Sequence, residues 1–235
     1  MYALVLFIAL MIIVLPFVFI ASFWGKTKGG NFIYHILRIW GAIWFPAIGI
    51  FCRNIYQSKP DPNRQYIFIA NHISYLDAAI IVMAIRQKFR PLGKVEMSKI
   101  PLFGFIYRCC VVMVDRADAK DRAKSVRQMK SVLNRGISIL IFPEGTFNMT
   151  GGPLKDFYDG AFRIAIETQT PLKPIVFLDS SKRMHYSNFF SLTPGPNRAV
   201  FLDEIAVEGL GSRDVAVLKA KAYEAMRAAI VSRQS

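Results

Sequence analysis

The sequence opens with a run of 25 residues, Met1 to Gly25, that contains no charged side chain. A helix of about 24 residues is about 36 Å long, which is enough to cross a hydrocarbon layer of about 30 Å. Pro16 lies inside the run and is expected to kink the helix. Because no Lys or Arg precedes this long apolar stretch, a membrane-associated helix fits better than a cleaved signal peptide.

A second apolar segment follows Lys26 and Lys28, and its uncharged part, Ile39–Cys52, lies between two arginines. Its 14 residues would make about 21 Å of helix, which is short for a span and typical of a re-entrant or interfacial helix. If both segments crossed the membrane, the two lysines would lie opposite the basic remainder of the chain, against the positive-inside tendency. We therefore expect residues 1–58 to anchor the chain from one side, with the rest on the cytoplasmic face. One span with an interfacial helix and two helices inserted in one leaflet both satisfy this expectation.

The chain is basic as well as apolar. Thirty Lys and Arg residues against sixteen Asp and Glu residues give a formal net charge of +14, while 53% of the residues are hydrophobic. The cations predict an anionic partner, and the apolar content favours membrane phospholipids over nucleic acid, so we expect no nucleic acid partner. Residues 86–135 carry thirteen cations and four acids, a surface suited to anionic lipid or to an acidic carrier protein.

The few cysteines and histidines exclude two classes of site. Three cysteines, two of them adjacent, predict no disulfide framework, which suits a domain on the cytoplasmic side. Three histidines and no Cys-x-x-Cys pair make a His/Cys metal site unexpected.

From residue 59 onward the pattern becomes that of an α/β domain, expected to comprise residues 59–235. Short apolar runs predict strands, and helical stretches lie between them near 75–87, 118–135 and 159–168. Residues 213–233 have apolar positions on one face of a helix and predict the last helix. The predicted strands are Gln65–Ala70, Leu92–Val95, Val111–Val114, Ile137–Phe142, Leu172–Leu178 and Ala199–Leu202. Their alternation with helices predicts a mainly parallel sheet flanked by helices, preceded by the two-helix membrane segment.

The first candidate for chemistry is His72 with Asp77, directly after the strand that ends at Ala70. Open α/β sheets place their sites where a strand ends and a helix begins. If the helix begins at Ser74, the carboxylate folds back toward the imidazole, holds its Nδ1–H and leaves Nε2 free as a general base. Ser74-x-x-Asp77 is also a capping-box-like arrangement, so a purely structural interpretation stays open.

Charged residues also follow the neighbouring predicted strands. One of these strands is followed by Glu144, Gly145 and Thr146. The carboxylate and the glycine, which lets backbone approach a ligand closely, suit a binding site, and the same residues also suit a plain turn. Arg116, next to an aspartate, follows another and can clamp a phosphate or form a surface pair. Lys94 lies at the end of a third and is a phosphate-binding candidate or a solvated lysine.

Taken in order, these blocks resemble the 1-acylglycerol-3-phosphate acyltransferase family, over residues 65–178. The His-x4-Asp block matches His72 to Asp77, and the Asp-Arg block matches Asp115-Arg116. The Phe-Pro-Glu-Gly-Thr block matches Phe142–Thr146, and the final Pro-rich strand matches Pro171–Val176. Four ordered blocks are far more specific than any single one.

The resemblance implies a glycerolipid acyltransferase domain that takes an acyl thioester, acyl-CoA or acyl–acyl carrier protein, and a lysophospholipid acceptor. It implies that Arg116 and Lys94 bind the acceptor phosphate. Glu144, Gly145 and Thr146 would then belong to the substrate-binding block that positions its glycerol part.

The residues themselves favour direct transfer. No Gly-x-Ser-x-Gly elbow is present, and Cys109 and Cys110 are interpreted as packing residues, so His72 would activate the acceptor hydroxyl directly while Asp77 fixes its tautomer. A thioester is already activated, so no bound cofactor or metal is expected.

Two departures from the family pattern concern the acceptor. Phe147-Asn148 stand where the family often has Arg-Ser, and Tyr158 stands where a Phe-Lys-x-Gly block has its lysine. Two cations that assist phosphate binding are therefore absent, which leaves a lysolipid with another head group, or a transacylase reaction, as alternatives. A non-catalytic membrane-binding or anion-binding protein is the remaining alternative.

Overall fold

A computed structural model describes residues 2–115, 117–188 and 190–234. The helices are α1 Tyr2–Ser22, α2 Gly30–Ala47, α3 Asp77–Ala84, α4 Phe103–Cys110, α5 Ala119–Leu133, α6 Gly160–Thr168, α7 Ser180–Arg183 and α8 Val215–Gln234. The strands are β1 Ile50–Tyr56, β2 Ile67–Ala70, β3 Phe89–Lys94, β4 Val112–Val114, β5 Ser138–Ile141, β6 Leu172–Phe177 and β7 Gly195–Phe201.

The described strands form one sheet in the order β1-β7-β6-β2-β5-β3-β4. β6, β2, β5, β3 and β4 are parallel, β7 is antiparallel to β6, and β1 is parallel to β7. The prediction of a mainly parallel sheet flanked by helices is confirmed. All six predicted strands are present, with ends that differ by a few residues.

β1 is the strand that the sequence analysis missed. The prediction of one helix over Ile39–Cys52 is wrong at its end, because α2 stops at Ala47 and β1 begins at Ile50. Gly49 lies between them with φ of 74°, a left-handed conformation that glycine adopts at no steric cost and that ends the helix. β1 lies within the predicted anchoring segment of residues 1–58 but pairs with β7 at the edge of the sheet.

Both faces of the sheet are covered, which explains why the central strands are continuous apolar runs. On β2, Phe68 and Ala70 point into a core shared with α1, α2, α3 and α4. Ile67 and Ile69 point into the opposite core, shared with α5, α6 and α8. With no solvated face available, period-two alternation is absent from these strands.

α1 and α2 pack as an antiparallel pair on the first face. The Trp44 Nε1–H group donates to the Ala3 carbonyl at 3.1 Å, and the Phe7 ring contacts Trp40 and Trp44 with centroids 5.2 and 5.4 Å apart. α2 packs in turn against α3, α4 and β1. Within the described part of the chain, α1 is the one helix long and apolar enough to cross a membrane by length and composition. Its outer side exposes Val5, Ile8, Ile12, Ile13, Phe17 and Ile20.

A buried arginine ties the turn between α1 and α2 to the sheet. The Arg90 guanidinium, on β3, donates to the carbonyls of Lys26 and Thr27 at 2.8 and 3.2 Å and to Asn31 Oδ1 at 3.0 Å. It also lies 5.5 Å from the centroid of the Tyr34 ring. The Arg90 side chain is 5% exposed. Its four contacts fix α1 and α2 to β3, the strand that ends at Lys94.

Replacing Arg90 with methionine is expected to loosen this connection. Arg90→Met fills similar space but removes a charged donor from the partly buried carbonyls of Lys26 and Thr27 and from Asn31, a loss of about 1–3 kcal/mol. For a chain of this size that corresponds to a fall in Tm of about 2–4 °C per kcal/mol. Thermal unfolding in detergent micelles measures it, with the exposed neighbour Arg86→Met as the control. Equal Tm values for the two variants would contradict the connecting role of Arg90.

Candidate active site

His72 and Glu144 come together at the carboxyl ends of the strands because β2 and β5 are parallel neighbours. Ile67 pairs with Ile139 and Ile69 with Ile141, so the chain leaves both strands side by side. His72 follows β2, and Glu144 follows β5. This edge, formed by the carboxyl ends of parallel strands, is where open α/β sheets bind their ligands.

The structure brings His72 and Asp77 into direct contact. Imidazole Nδ1 lies 2.9 Å from Asp77 Oδ2. An ionised carboxylate only accepts hydrogen bonds, so this contact is a hydrogen bond when Nδ1 carries the ring proton, as the sequence analysis expects. The role of Nε2 as a base stays a prediction. α3 begins at Asp77 rather than at Ser74, so the turn of residues 71–76 places the imidazole above the start of this helix.

The Asp77 carboxylate is fully buried and holds four donors. Besides the imidazole, Oδ2 accepts the N–H groups of Ile73 and Ser74 at 2.8 and 2.9 Å. Oδ1 accepts the hydroxyl of Ser180 at 2.6 Å. The bond from Ser74 N–H is the reciprocal half of a capping box, but α3 begins at Asp77 and its N-cap residue, Leu76, has no side-chain cap. This carboxylate therefore fixes the turn before α3, together with the imidazole, rather than capping the helix.

Ser180 is a functional candidate that the sequence analysis missed. It is completely buried as the first residue of α7, separated from the end of β6 by two residues. Its hydroxyl donates to Asp77. A serine at the second position after the predicted strand Leu172–Leu178 was the available signal, but serine is common in such turns. Its hydroxyl fixes the second oxygen of the carboxylate that orients His72.

Two phenyl rings enclose the imidazole of His72. The Phe142 ring stacks on it with centroids 4.2 Å apart and planes at 19°, and the Phe147 ring contacts it at 4.3 Å and 58°. The His72 carbonyl also accepts the Asn148 N–H at 2.8 Å. With the rings covering its faces and Nδ1 occupied, the exposed fifth of the His72 side chain is expected at the edge that carries Nε2.

Glu144 braces the same turn from β5. Its Oε1 accepts the backbone N–H of His72 at 2.8 Å, and its Oε2 accepts that of Lys155 at 2.9 Å. Gly145, with φ of 75°, closes a turn in which its N–H donates to Phe142 at 3.0 Å, and this turn directs the carboxylate back to β2. Glu144 is fully buried with both oxygens on backbone amides, which favours a bracing role for it. Direct contact with the acceptor stays a prediction.

Burial raises the pKa of Glu144 to about 7. The N–H groups of Lys155 and His72 act in the opposite direction, and the nearby Asp77 carboxylate adds to the rise. Loss of solvation outweighs these hydrogen bonds because the carboxylate has no exposed surface.

Thr146 and Lys94 are the remaining predicted residues that the structure describes. The Thr146 hydroxyl accepts a hydrogen bond from the Lys155 ammonium group at 2.9 Å. The sequence analysis did not predict Lys155 as a site residue. Lys94 is exposed at the end of β3, which pairs with β5, so it reaches the same edge of the sheet. Arg116 lies outside the described residues.

The thiols of Cys109 and Cys110, on α4, do not have the character of nucleophiles. Cys110 is buried and Cys109 is half-buried, and burial raises the pKa of both thiols. At neutral pH they are thiols rather than thiolates. Among the residues that the structure describes, no three His, Cys, Asp or Glu side chains lie together as a metal site requires.

Residues 51–178 match the family model described as Acyltransferase. A 1-acyl-sn-glycerol-3-phosphate acyltransferase of Chlamydomonas reinhardtii is 28% identical over 59% of this chain and 42% of its own length. The chloroplastic enzyme LPAT1 of Arabidopsis thaliana is 27% identical over 75% of this chain and 48% of its own length. A putative enzyme of the same name from Caenorhabditis elegans is 29% identical over 88% of this chain and 72% of its own. The chain thus spans about half the length of the algal and plant relatives.

A solved structure shares the whole fold. The 1-acyl-sn-glycerophosphate (LPA) acyltransferase PlsC from Thermotoga maritima superposes with a TM-score of 0.79, covering 100% of this chain and 95% of that one. The sequence identity is 20%, so this likeness concerns the fold alone.

The raised pKa of Glu144 predicts a pH-dependent stability. Its carboxyl titrates at about 7 in the folded protein and at the ordinary 4.5 when unfolded, so between these values the folded state holds one more proton. The free energy of unfolding therefore falls as the pH rises, by up to about 1.4 kcal/mol per pH unit, and levels off above the folded pKa. The variant Glu144→Gln does not titrate there. We expect the Tm of wild type minus that of the variant to decrease from pH 4.5 to 7.

Thermal unfolding in detergent at stepped pH measures this difference. Glu96→Gln is the matched control, since Glu96 is exposed. A Tm difference for Glu144→Gln that stays constant across the range would contradict the buried titration.

Proposed function

The chain belongs to the acyltransferase family, and from this premise we propose that it acylates the free hydroxyl of 1-acylglycerol-3-phosphate (lysophosphatidate), which gives phosphatidate. The donor is an acyl thioester, either acyl-CoA or acyl–acyl carrier protein. The observation that carries the proposal is the 2.9 Å contact between His72 Nδ1 and the buried Asp77 carboxylate, which leaves Nε2 as a base. The names of the relatives support the choice of acceptor.

Direct transfer follows from this geometry. His72 Nε2 removes the proton from the acceptor hydroxyl as the oxygen attacks the thioester carbonyl carbon. The C–S bond then breaks, and the imidazolium returns its proton to the leaving thiolate. Asp77 stabilises the positive charge that the imidazole carries between these steps. Because a thioester is already activated, the reaction uses no bound cofactor and no metal.

The other predicted residues hold the acceptor and the base. Lys94, at the end of β3, and Arg116, which follows β4 in the sequence, bind the acceptor phosphate. Gly145 and Thr146 lie beside the glycerol part, and Glu144 holds the backbone of His72. Ser180 positions Asp77 through the 2.6 Å bond to its second oxygen.

The enzyme works on a membrane surface. Residues 1–58 include the helix pair that anchors it from one side and also β1, which belongs to the sheet. Residues 59–235 supply the rest of the acyltransferase domain, on the cytoplasmic face. The exposed apolar side of α1 and the net charge of +14 support contact with anionic phospholipids. Since α2 packs against the sheet domain and α1 packs along α2, the anchor lies beside the domain rather than apart from it.

Replacing the base tests the reaction. His72→Ala is expected to reduce acyl transfer by about 10³-fold or more, because general-base activation of the hydroxyl is lost. Phosphatidate formation by purified protein in mixed micelles measures it, with acyl-CoA and acyl carrier protein donors in separate arms. His35→Ala is the matched control, since His35 is exposed on α2.

Tm values for the two variants establish that the fold is retained. Undiminished transfer by a folded His72→Ala protein would contradict the mechanism. Transfer only to a lysolipid with another head group would replace the proposed acceptor and keep the base.

A further inference from the structure

Lys155 is the one cation in the loop of residues 147–156, which follows the Glu-Gly-Thr block. Its backbone N–H donates to Glu144 Oε2, and the other oxygen of that carboxylate holds the backbone N–H of His72. One buried carboxylate therefore connects the backbone of Lys155 with that of the base.

The loop that carries Lys155 is held in place at several points. The Asn148 N–H donates to the His72 carbonyl at 2.8 Å, and the Asn148 side-chain amide donates to Gly152 at 2.9 Å. Beyond Lys155, the Tyr158 N–H donates to Pro143 at 2.9 Å. The backbone of Lys155 is thus fixed before any ligand arrives, which lowers the entropic cost of ordering this loop when a ligand binds.

The ammonium group of Lys155 has donors to spare. It makes a 2.9 Å bond to Thr146 Oγ1. Among the described residues no carboxylate is within ion-pair distance of it, and the Glu144 carboxylate acts on its charge only at longer range. Other lysines of the chain do have such partners, for example Lys130 with Glu167 and Lys219 with Asp159. An ammonium carries three donors, so two remain. The Thr146 hydroxyl donates to the Phe147 carbonyl only at the long distance of 3.5 Å, so its proton can turn toward a ligand as a third donor.

We infer that Lys155, with the Thr146 hydroxyl, binds the phosphate of the acceptor lysolipid. Three donors and a positive charge at the sheet edge that carries His72 match the oxygens of a phosphate group. Phe147, the residue next to Thr146, contacts the imidazole instead of supplying a charge, so Lys155 is the cation that this loop offers. The inference rests on the proposed function and names a specificity residue for it.

Kinetics with two acceptors test the inference. Lys155→Met keeps the apolar stem and removes the charge, so the KM for lysophosphatidate should rise about tenfold or more. The KM for a monoacylglycerol, which lacks the phosphate, should stay unchanged, and Lys155→Arg should restore most of the lysophosphatidate affinity. Lys221→Met is the matched control, since Lys221 is at an exposed position of α8. A similar loss with both acceptors, or no loss with either, would overturn the inference.

A binding measurement separates this inference from the proposed reaction. In a His72→Ala background, equilibrium binding of lysophosphatidate in micelles needs no turnover. Weaker binding on adding Lys155→Met supports the phosphate site even if wild type fails to transfer an acyl group. Unchanged binding overturns the phosphate site even if wild type is active.

Discussion

The geometry of the site depends on one buried carboxylate. Asp77 has no exposed surface and accepts hydrogen bonds from the His72 imidazole, from the backbone N–H groups of Ile73 and Ser74, and from the Ser180 hydroxyl. These donors come from the turn after β2 and from the start of α7, so the carboxylate joins two strand ends. A buried charge is tolerated only with such a set of partners, and the same partners orient the imidazole.

The part of the site that the sequence predicts is the local part. His72 and Asp77 are five residues apart beside a clear apolar strand, and Glu144 follows another, so short-range patterns are enough. Ser180 and Lys155 come from segments far along the chain, and only the sheet order and the loop after β5 bring them to this centre. The phosphate-binding cations show this limit of sequence analysis. Comparison with the family pattern reveals that Phe147 stands where an arginine is common, but it does not reveal Lys155 as the cation proposed to replace it.

The fold shows the same division between local and distant information. The strands of the parallel core are predicted because burial on both faces leaves continuous apolar runs. β1 is missed because Ile39–Cys52 is one uncharged stretch that includes the end of a helix and the start of a strand. Its partner, β7, lies at the other end of the sequence. Arg38 adds to the connection made by Arg90, since its guanidinium donates to the carbonyls of residues 85–87.

The protonation of His72 tests the account most directly, because every step requires a free Nε2. The chain has only three histidines, so ¹⁵N-histidine labelling in detergent micelles gives few signals, and His72→Ala assigns the one of interest. At a pH where the imidazole is neutral, the account predicts a proton on Nδ1 and a pyridine-like Nε2, with this preference lost in Asp77→Asn. A proton on Nε2 in the wild-type protein would contradict the account.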